Sequence, residues 1–323
     1  MTTVSVLLPV RDGARFVGRA AASVLAQSRD DLELVVVDDG SRDNSSAVVS
    51  SIGDSRIRLV RQEGRGVGAA LNAALRVAEG DFVAMLGADD VWLPGLVEAL
   101  LPALAQDPGI AVSYGRAQAM DDAGLPLPQL AGAPPRFPDQ PLATILYGNC
   151  ICTIAALARL ADVVAVGGFD ERLIAEDWDL WIRLLSGGRL AYTPRVLARF
   201  RLSPNSHTGP RSPHYVRISR DHVTLVERFY ASDGLSPEAE HVRALALRNV
   251  YLHAAVRLLV VGAFREARPY VRRALTVGPS PAAAAARLAA QALFYRWLSR
   301  RRWGVVVTER AVALRRAWAL RER

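Results

Sequence analysis

Three stretches of the sequence end apolar runs in acidic residues. Arg11-Asp12 follows VSVLLPV, Asp38-Asp39 follows LELVVV, and Gly87-Ala88-Asp89-Asp90 follows FVAML. Carboxylates of this kind suit a magnesium or manganese ion, which binds through one or two of them and bridges substrate phosphates. Such a metal neutralises charge building on a departing diphosphate. A carboxylate beside a pyrimidine ring can also accept the imide N–H, a task open to Asp38 or Asp39. Turns favour Asp for backbone reasons alone. Two Asp-Asp pairs, each directly after an apolar run, point beyond that.

The elements that must carry these residues follow from periodicity. Val4–Val10 and Leu34–Val37 read as short buried strands. Between them Phe16, Val17, Ala20, Ala21, Val24 and Leu25 recur with a helical period, which predicts a helix over 14–26 and a parallel β-α-β unit. Asp43 or Asn44 can cap a following helix to about Ser51. A strand over 57–60, a helix over 66–78 and a strand over 82–86 continue the alternation. A helix over 91–105 and a strand over 110–113 follow. This order predicts a doubly wound α/β sheet, whose ligands bind at the carboxyl ends of the strands. All three acidic ends fall on that edge. Residues 121–141 read as a long loop, 176–186 as a helix, and 189–192 and 196–201 as two strands. Residues 203–213 read as a linker, and everything from Ser212 as helical.

Bulk properties narrow the classes. The 323 residues are 51% hydrophobic, which excludes a disordered chain. There is no Lys, and the net charge of +8 is uneven. Residues 1–210 hold 19 Arg against 24 acids, while 211–323 hold 21 Arg against 8. A basic tail on an acidic body fits an anionic partner such as a membrane surface, or simply a solvated helical tail. No recognised nucleic-acid-binding fold accompanies the charge, which argues against nucleic acid. Cys150 and Cys152 are the only cysteines and read as small buried residues of a reducing compartment. The N-terminus lacks the basic start of a signal peptide, and no apolar segment reaches the roughly 20 residues of a spanning helix. The expectation is a cytoplasmic chain, at the inner face of the cell membrane if the tail binds lipid. Gly64, Gly66 and Gly68 are spaced G-x-G-x-G after the third strand, which does not fit a dinucleotide fingerprint.

The segments VSVLLPVRDG, LELVVVDDGSRDNS, EGRGVGAALNAALRVAEGDFVAMLGADD, GGFDE and AEDWDLWIRL together resemble the family 2 glycosyltransferases of the GT-A fold. The likeness covers roughly residues 3–205. It implies a mixed GT-A sheet and a metal-dependent (Mn2+ or Mg2+), inverting transfer of a sugar from a nucleotide diphosphate sugar. It implies that Pro9, Val10, Arg11 and Asp12 wrap the base, and that Asp39 binds a uracil or thymine ring with Asp38 beside it. Asp89 would meet the ribose or diphosphate and Asp90 the metal. Gly87 stands where the family commonly has a further acid. Arg201 is a candidate for the diphosphate, and His207 for the metal or diphosphate.

The resemblance also makes Asp177 the catalytic base, with Glu176 orienting the acceptor or the base. Helical geometry supports the first assignment. At about 100° per residue, Asp177 falls inside the apolar arc of Trp178, Leu180, Trp181, Ile182, Leu184 and Leu185, while Glu176, Asp179 and Arg183 fall outside it. A carboxylate aimed inward is costly unless it has a partner or a task. N-terminal capping is the plainer alternative. Trp178 is a candidate sugar-stacking residue, or core.

Residues 251–279 resemble one helix–turn–helix unit of a tetratricopeptide-like repeat. From Arg296 on, Trp297, Trp303 and Trp318 stand among nine Arg, which suits an anionic membrane interface or ordinary helix packing. The sequence therefore predicts three parts: a donor half over 1–105, an acceptor half over 106–210, and an Arg-rich helical extension over 211–323. The expected partners are a UDP- or dTDP-sugar donor and a glycan or lipid-linked acceptor of cell-surface polysaccharide synthesis. The competing readings are a catalytically silent scaffold and a sugar nucleotidyltransferase. LLPVRDGARF lacks the Gly-rich basic loop that the nucleotidyltransferase needs.

Overall fold

The computed structural model describes residues 3–202, 212 and 214–278. The chain divides into two compact units. One comprises Met1–Pro126, Ala131–Ile145 and Asn149–Arg201; the other comprises Leu127–Leu130, Leu146–Gly148 and Leu202–Arg323.

The first unit opens with β1 (Val4–Val10), α1 (Val17–Leu25), β2 (Leu32–Asp39), α2 (Ser45–Ser50), β3 (Ile57–Gln62), α3 (Val67–Leu75) and β4 (Phe82–Met85). It continues through β5 (Val91–Trp92), α4 (Leu96–Gln106), β6 (Ile110–Met120), β7 (Pro126–Ala131) and α5 (Pro141–Tyr147), the last two shared with the second unit. It closes with β8 (Ala156–Arg159), α6 (Leu160–Ala165), α7 (Glu176–Leu185) and β9 (Arg189–Arg201). Eight strands lie in the order β3-β2-β1-β4-β8-β6-β9-β5. β1 to β4 are parallel, β8 runs antiparallel to β4 and β6, and β9 runs parallel to β6. The sheet is therefore mixed, as the sequence predicts.

Burial explains the alternation. Val4, Val6, Leu8 and Val10 of β1 share one buried cluster with Val17, Ala20, Ala21 and Val24 of α1 and Leu96 and Leu100 of α4. Leu7, Val35 and Val37 face the other way and are equally buried. A strand buried on both faces reads as a continuous apolar run. Pro9 fits in this central strand because of register. The odd residues of β1 point toward β4, as the Leu86 N–H to Leu7 O bond shows. The last β1–β4 pair is Leu7 with Met85. The N–H that proline lacks would meet no partner there.

Three expectations change. The helix expected over 91–105 begins only at Leu96, and Val91-Trp92 instead pair antiparallel with Arg199 and Ala198. Pro94 disfavours helical backbone at Leu93, and Gly95, at φ 81°, starts the helix. The loop expected over 121–141 contains β7, where Pro126 and Pro128 fix an extended backbone. β9 runs unbroken across Pro194, and shifts in its register with β6 absorb the proline.

The second unit carries α8 (Tyr215–Tyr230), α9 (Pro237–Val260) and α10 (Phe264–Thr276). Ser236 caps α9 by accepting the Ala239 N–H, with Pro237 at the first helical position. Glu227 ties the three helices together, accepting from the Tyr251 hydroxyl at 2.7 Å and Arg273 at 2.6 Å. α9 and α10 form the helix–turn–helix expected over 251–279. No helix among the described residues is long and apolar enough to cross a membrane. His207 and the Trp- and Arg-rich segment beyond Arg296 lie outside the described residues.

Candidate active site

The carboxyl ends of β1, β2 and β4 lie together, so the expected acidic edge exists. Asp39 is buried, and three donors converge on it. Gln62 Nε2 and Arg65 N donate to Oδ1 at 2.6 and 2.8 Å, and Gly66 N donates to Oδ2 at 2.8 Å. A carboxylate has about four acceptor positions. Asp39 therefore shapes the loop between β3 and α3 and keeps capacity for one more donor. Asp38 turns to the other side. It accepts from Ser41 N at 2.8 Å and from the Ser46 hydroxyl, so it holds the loop after β2. Burial opposes its ionisation, but these hydrogen bonds prevail and hold its carboxyl below the ordinary range.

Asp12 is the only residue other than glycine with positive φ, at 52°, among the described residues. Its N–H donates to Ser41 Oγ at 3.0 Å and its Oδ1 accepts from Arg42 N at 2.7 Å. The loops after β1 and β2 are thus laced together, which offsets the backbone strain at Asp12. Arg11 is exposed and its guanidinium passes close over Gly64. Pro9 and Val10 are the last two residues of β1.

The Asp89-Asp90 turn is held by the end of β9. Arg201 N donates to Asp90 Oδ1 at 2.9 Å. The Arg201 guanidinium donates to Asp89 O at 3.1 Å and Asp121 O at 2.5 Å, and lies 4.1 Å from the centre of the Phe16 ring. Arg201 is 5% exposed. Through these carbonyls, an aromatic face and its charge beside Asp89 and Asp90, Arg201 braces the acidic turn. Gly87 also has a structural reason. A Cβ there would come within 2.6 Å of Asp90 Oδ2. The acid usual at this position would have to displace Asp90.

Burial, and then the neighbouring Asp89 charge, push the Asp90 carboxyl up to about 8. Asp89 is raised as well, chiefly by burial. A close, poorly solvated carboxylate pair is what a divalent cation neutralises, and oxygen donors suit magnesium or manganese. The residues present fit that group as a partial site completed by substrate phosphates. Among the described residues, no cluster of three His, Cys, Asp or Glu forms a self-sufficient metal site.

Asp177 opens α7. Its Oδ2 accepts from the Thr153 hydroxyl at 2.6 Å and its Oδ1 from Trp178 N at 2.7 Å. Burial lifts its carboxyl above the ordinary range, and these two hydrogen bonds pull it part of the way back. Asp177 does not cap the helix in the ordinary sense, because the cap position is Ala175 and carries no side-chain hydrogen bond. Glu176 is its half-buried neighbour. Trp178 is 5% exposed and donates from Nε1 to Ile145 O at 2.8 Å, which makes it core. Asp179 departs from the helical-wheel expectation, since it is buried. An ion pair with Arg183 at 2.7 Å accompanies it inside.

Two residues join the site that the sequence did not single out for it. Thr153, in the short 3-10 turn Thr153–Ala155, touches Asp177 from 24 positions away. Cys152 beside it has its thiol pushed up to about 12, first by burial and then by the charges of Asp90 and Asp177. The Cys152 thiol therefore lies within electrostatic reach of both Asp90 and Asp177. Only long-range packing creates both contacts, so no local motif announces them.

Known proteins resemble this chain in sequence and fold. The model of "Glycosyl transferase family 2" matches residues 5–162. A Nostoc sp. protein named uncharacterized glycosyltransferase alr2836 is 33% identical over 265 residues, spanning 77% of this chain and 74% of that one. The chain belongs to glycosyltransferase family 2. Another relative of this family 2 chain is the Escherichia coli WfgD, named UDP-Glc:alpha-D-GlcNAc-diphosphoundecaprenol beta-1,3-glucosyltransferase. It is 28% identical over 207 residues, covering 63% of this chain and 78% of WfgD. Some curated relatives are longer, and the chain spans 36% of the length of one from Rickettsia felis.

The GT-A fold is shared with S. aureus TarS 1-349 in complex with UDP-GlcNAc, at TM-score 0.64, 17% identity and 93% and 92% coverage of the two chains. It is shared equally with the mannosyltransferase PcManGT of Pyrobaculum calidifontis in complex with GDP-Man and Mn2+. Here the TM-score is 0.62 and the identity 21%, over 98% and 87% of the two chains.

Proposed function

We propose that this chain is an inverting glycosyltransferase that moves a sugar from a UDP- or dTDP-sugar to an acceptor hydroxyl. The observation that carries the reading is the Asp177 carboxylate, held by the Thr153 hydroxyl and Trp178 N in the same compact unit as the Asp89-Asp90 turn. Asp89 and Asp90 have the environment of metal ligands, and Asp177 that of a half-buried base. In this mechanism Asp177 accepts the proton of the acceptor hydroxyl as that oxygen bonds to the anomeric carbon. The bond to the diphosphate oxygen breaks on the opposite face, and the nucleotide diphosphate departs with its electron pair. Its raised affinity for protons suits Asp177 to the task, and general base assistance is typically worth about 10²–10⁴-fold. Thr153 orients the carboxylate, and Glu176 orients the acceptor or the base.

Asp89 and Asp90 would hold Mn2+ or Mg2+ together with the diphosphate. When bound, the metal supplies charge neutralisation on the leaving group. Asp39 has one acceptor position left for a ring N–H, which favours uracil or thymine, with Pro9, Val10, Arg11 and Asp12 around the base. Guanine also carries such an N–H, and the archaeal neighbour holds GDP-Man, so a guanine donor is the natural control. Residues 1–105 act as the donor half and 106–210 as the acceptor half in this account.

The acceptor we favour is a glycan or lipid-linked glycan of cell-surface polysaccharide synthesis, reached at the cytoplasmic membrane face. WfgD, by its name, acts on a diphosphoundecaprenol-linked sugar. In this chain Arg265, Arg268 and Arg272 are exposed along one side of α10, near exposed Val261 and Phe264. Cations beside apolar side chains suit an anionic lipid surface. The test is transfer from UDP-glucose, UDP-GlcNAc and GDP-mannose to polyprenyl-diphosphate sugars, with and without Mn2+. Mn2+-dependent product from a uridine donor supports the reading. Product from the guanine donor alone overturns the donor assignment, and no product from any donor favours the silent scaffold.

A further inference from the structure

One chain of polar contacts connects the nucleotide edge to the base, and it runs through a residue the mechanism above does not use. Asp39 fixes the main chain of Arg65 and Gly66. α3 begins at the next residue and carries Asn72 toward the Gly-Gly-Phe-Asp-Glu turn. There the Asn72 amide pairs with the main chain of Phe169 as a strand would. Phe169 N donates to Oδ1 at 2.9 Å, and Nδ2 donates back to Phe169 O at 2.9 Å. Nδ2 also donates to Glu171 Oε1 at 3.0 Å, and Glu171 Oε2 accepts from Arg65 at 3.1 Å. Gly168, at φ 68°, lets the turn come this close, since a Cβ would lie 2.6 Å from Asn72 Oδ1.

The other side of the same turn is bound to α7. Arg183 donates to Val166 O and Gly168 O, each at 2.7 Å, and its Nε donates to Asp179 at 2.8 Å. Asp179 lies one residue past Trp178, whose N–H holds Asp177. The turn is therefore clamped between α3 and Arg183 in the last turn of α7, which also holds Asp179 in the first.

We propose that Asn72 is a positioning residue that sets the Asp177 carboxylate against the donor by clamping the 168–171 turn. The exposed Arg65–Glu171 pair adds little by itself, as surface ion pairs do. The Asn72 amide and the Arg183 guanidinium, both on main-chain atoms, carry the geometry. This inference rests on the transfer reading above, because it assigns Asp177 a reacting partner.

The experiment uses the full chain and three variants: Asn72→Ala, Asn72→Asp, and Asn72→Asp with Glu171→Gln. Asn72→Asp sets two carboxylates against each other, and Glu171→Gln restores a donor between them. In steady-state transfer, Asn72→Ala should lose about 10- to 100-fold in kcat, the scale of a small misplacement of reacting groups. Donor KM should stay within about twofold on the same argument. Asn72→Asp should fall at least as far, and the double variant should recover only the part due to repulsion from Glu171, because neither side chain restores the donor to Phe169 O. Unchanged kcat per folded molecule with a lowered Tm would make Asn72 merely structural and overturn the proposal, as would full recovery in the double variant.

Hydrogen exchange on ligand-free protein separates this inference from the transfer reading. Asn72→Ala should speed exchange across 168–171 and in the first turn of α7. A change confined to 168–171 would overturn the relay even if transfer proceeds. A wild-type chain that transfers nothing but shows the α7 response would sink the transfer reading and leave the clamp standing.

Discussion

Replacing Asp177 by Asn isolates the proton-accepting step. The substitution keeps the shape of the side chain and removes its charge. The amide oxygen can still accept from Trp178 N, and the amide nitrogen can donate to the Thr153 hydroxyl, so neither partner is stranded. Stranding one would cost about 1–3 kcal/mol. Burial already disfavours the charged form of Asp177, so a neutral amide carries no added desolvation penalty. The fold should therefore hold, with Tm equal to or above wild type at neutral pH. What disappears is base assistance, about 10²–10⁴-fold, or roughly 3–5 kcal/mol in the barrier. The assay is steady-state transfer at saturating donor, beside direct titration with UDP. The account expects kcat to fall by that factor while UDP affinity stays within about twofold. A variant that keeps kcat within about tenfold would refute the assignment, and so would a loss that lies wholly in donor KM.

Three further outcomes follow from neighbouring contacts. Thr153→Val removes a hydrogen bond that favours ionised Asp177, so the acid limb of the pH–rate profile should move to higher pH; an unmoved limb would disconnect Thr153 from the base. Asp90 is raised from 3.8 to about 8, so the folded chain holds the extra proton between those values and loses stability as pH rises through them. Asp90→Asn should therefore raise Tm at pH 8 without metal, by about 2–4 °C for each kcal/mol relieved, and should abolish stabilisation by Mn2+ with nucleotide; a Tm that falls would contradict the reading. Val261→Ser with Phe264→Ser should weaken sedimentation with phosphatidylglycerol vesicles but not alter soluble-donor binding, and unchanged sedimentation would remove α10 from the membrane account.

The sequence made the acidic edge legible because strand ends are local. An apolar run, a turn residue and a carboxylate sit within ten positions, and the parallel sheet brings such ends together whatever lies between. Asp177 was legible for a related reason, since its place in an apolar arc follows from helical geometry. Asp179 escaped the same wheel because its ion pair with Arg183 lets a charge go inside. Val91-Trp92 escaped because Pro94 and Gly95 delay the helix, leaving two residues to extend along β9. Arg201 looked like a phosphate ligand by residue type alone, whereas its partners are the carbonyls of Asp89 and Asp121, 112 and 80 positions away. Thr153, Cys152 and Asn72 depend wholly on such distant pairings. Polar side chains in ordinary-looking segments carry no periodic signal of what they will meet.

The central claim is a nucleotide diphosphate held at the Asp39 and Asp90 edge with a divalent ion. Thermal unfolding with UDP, dTDP, GDP, CDP and ADP, each with and without Mn2+, tests it most directly, because a ligand that binds only the folded state raises the midpoint by mass action. The account predicts a Mn2+-dependent rise with UDP or dTDP that exceeds that of the purine nucleotides. A folded protein whose midpoint no nucleotide moves, with or without Mn2+, would contradict it.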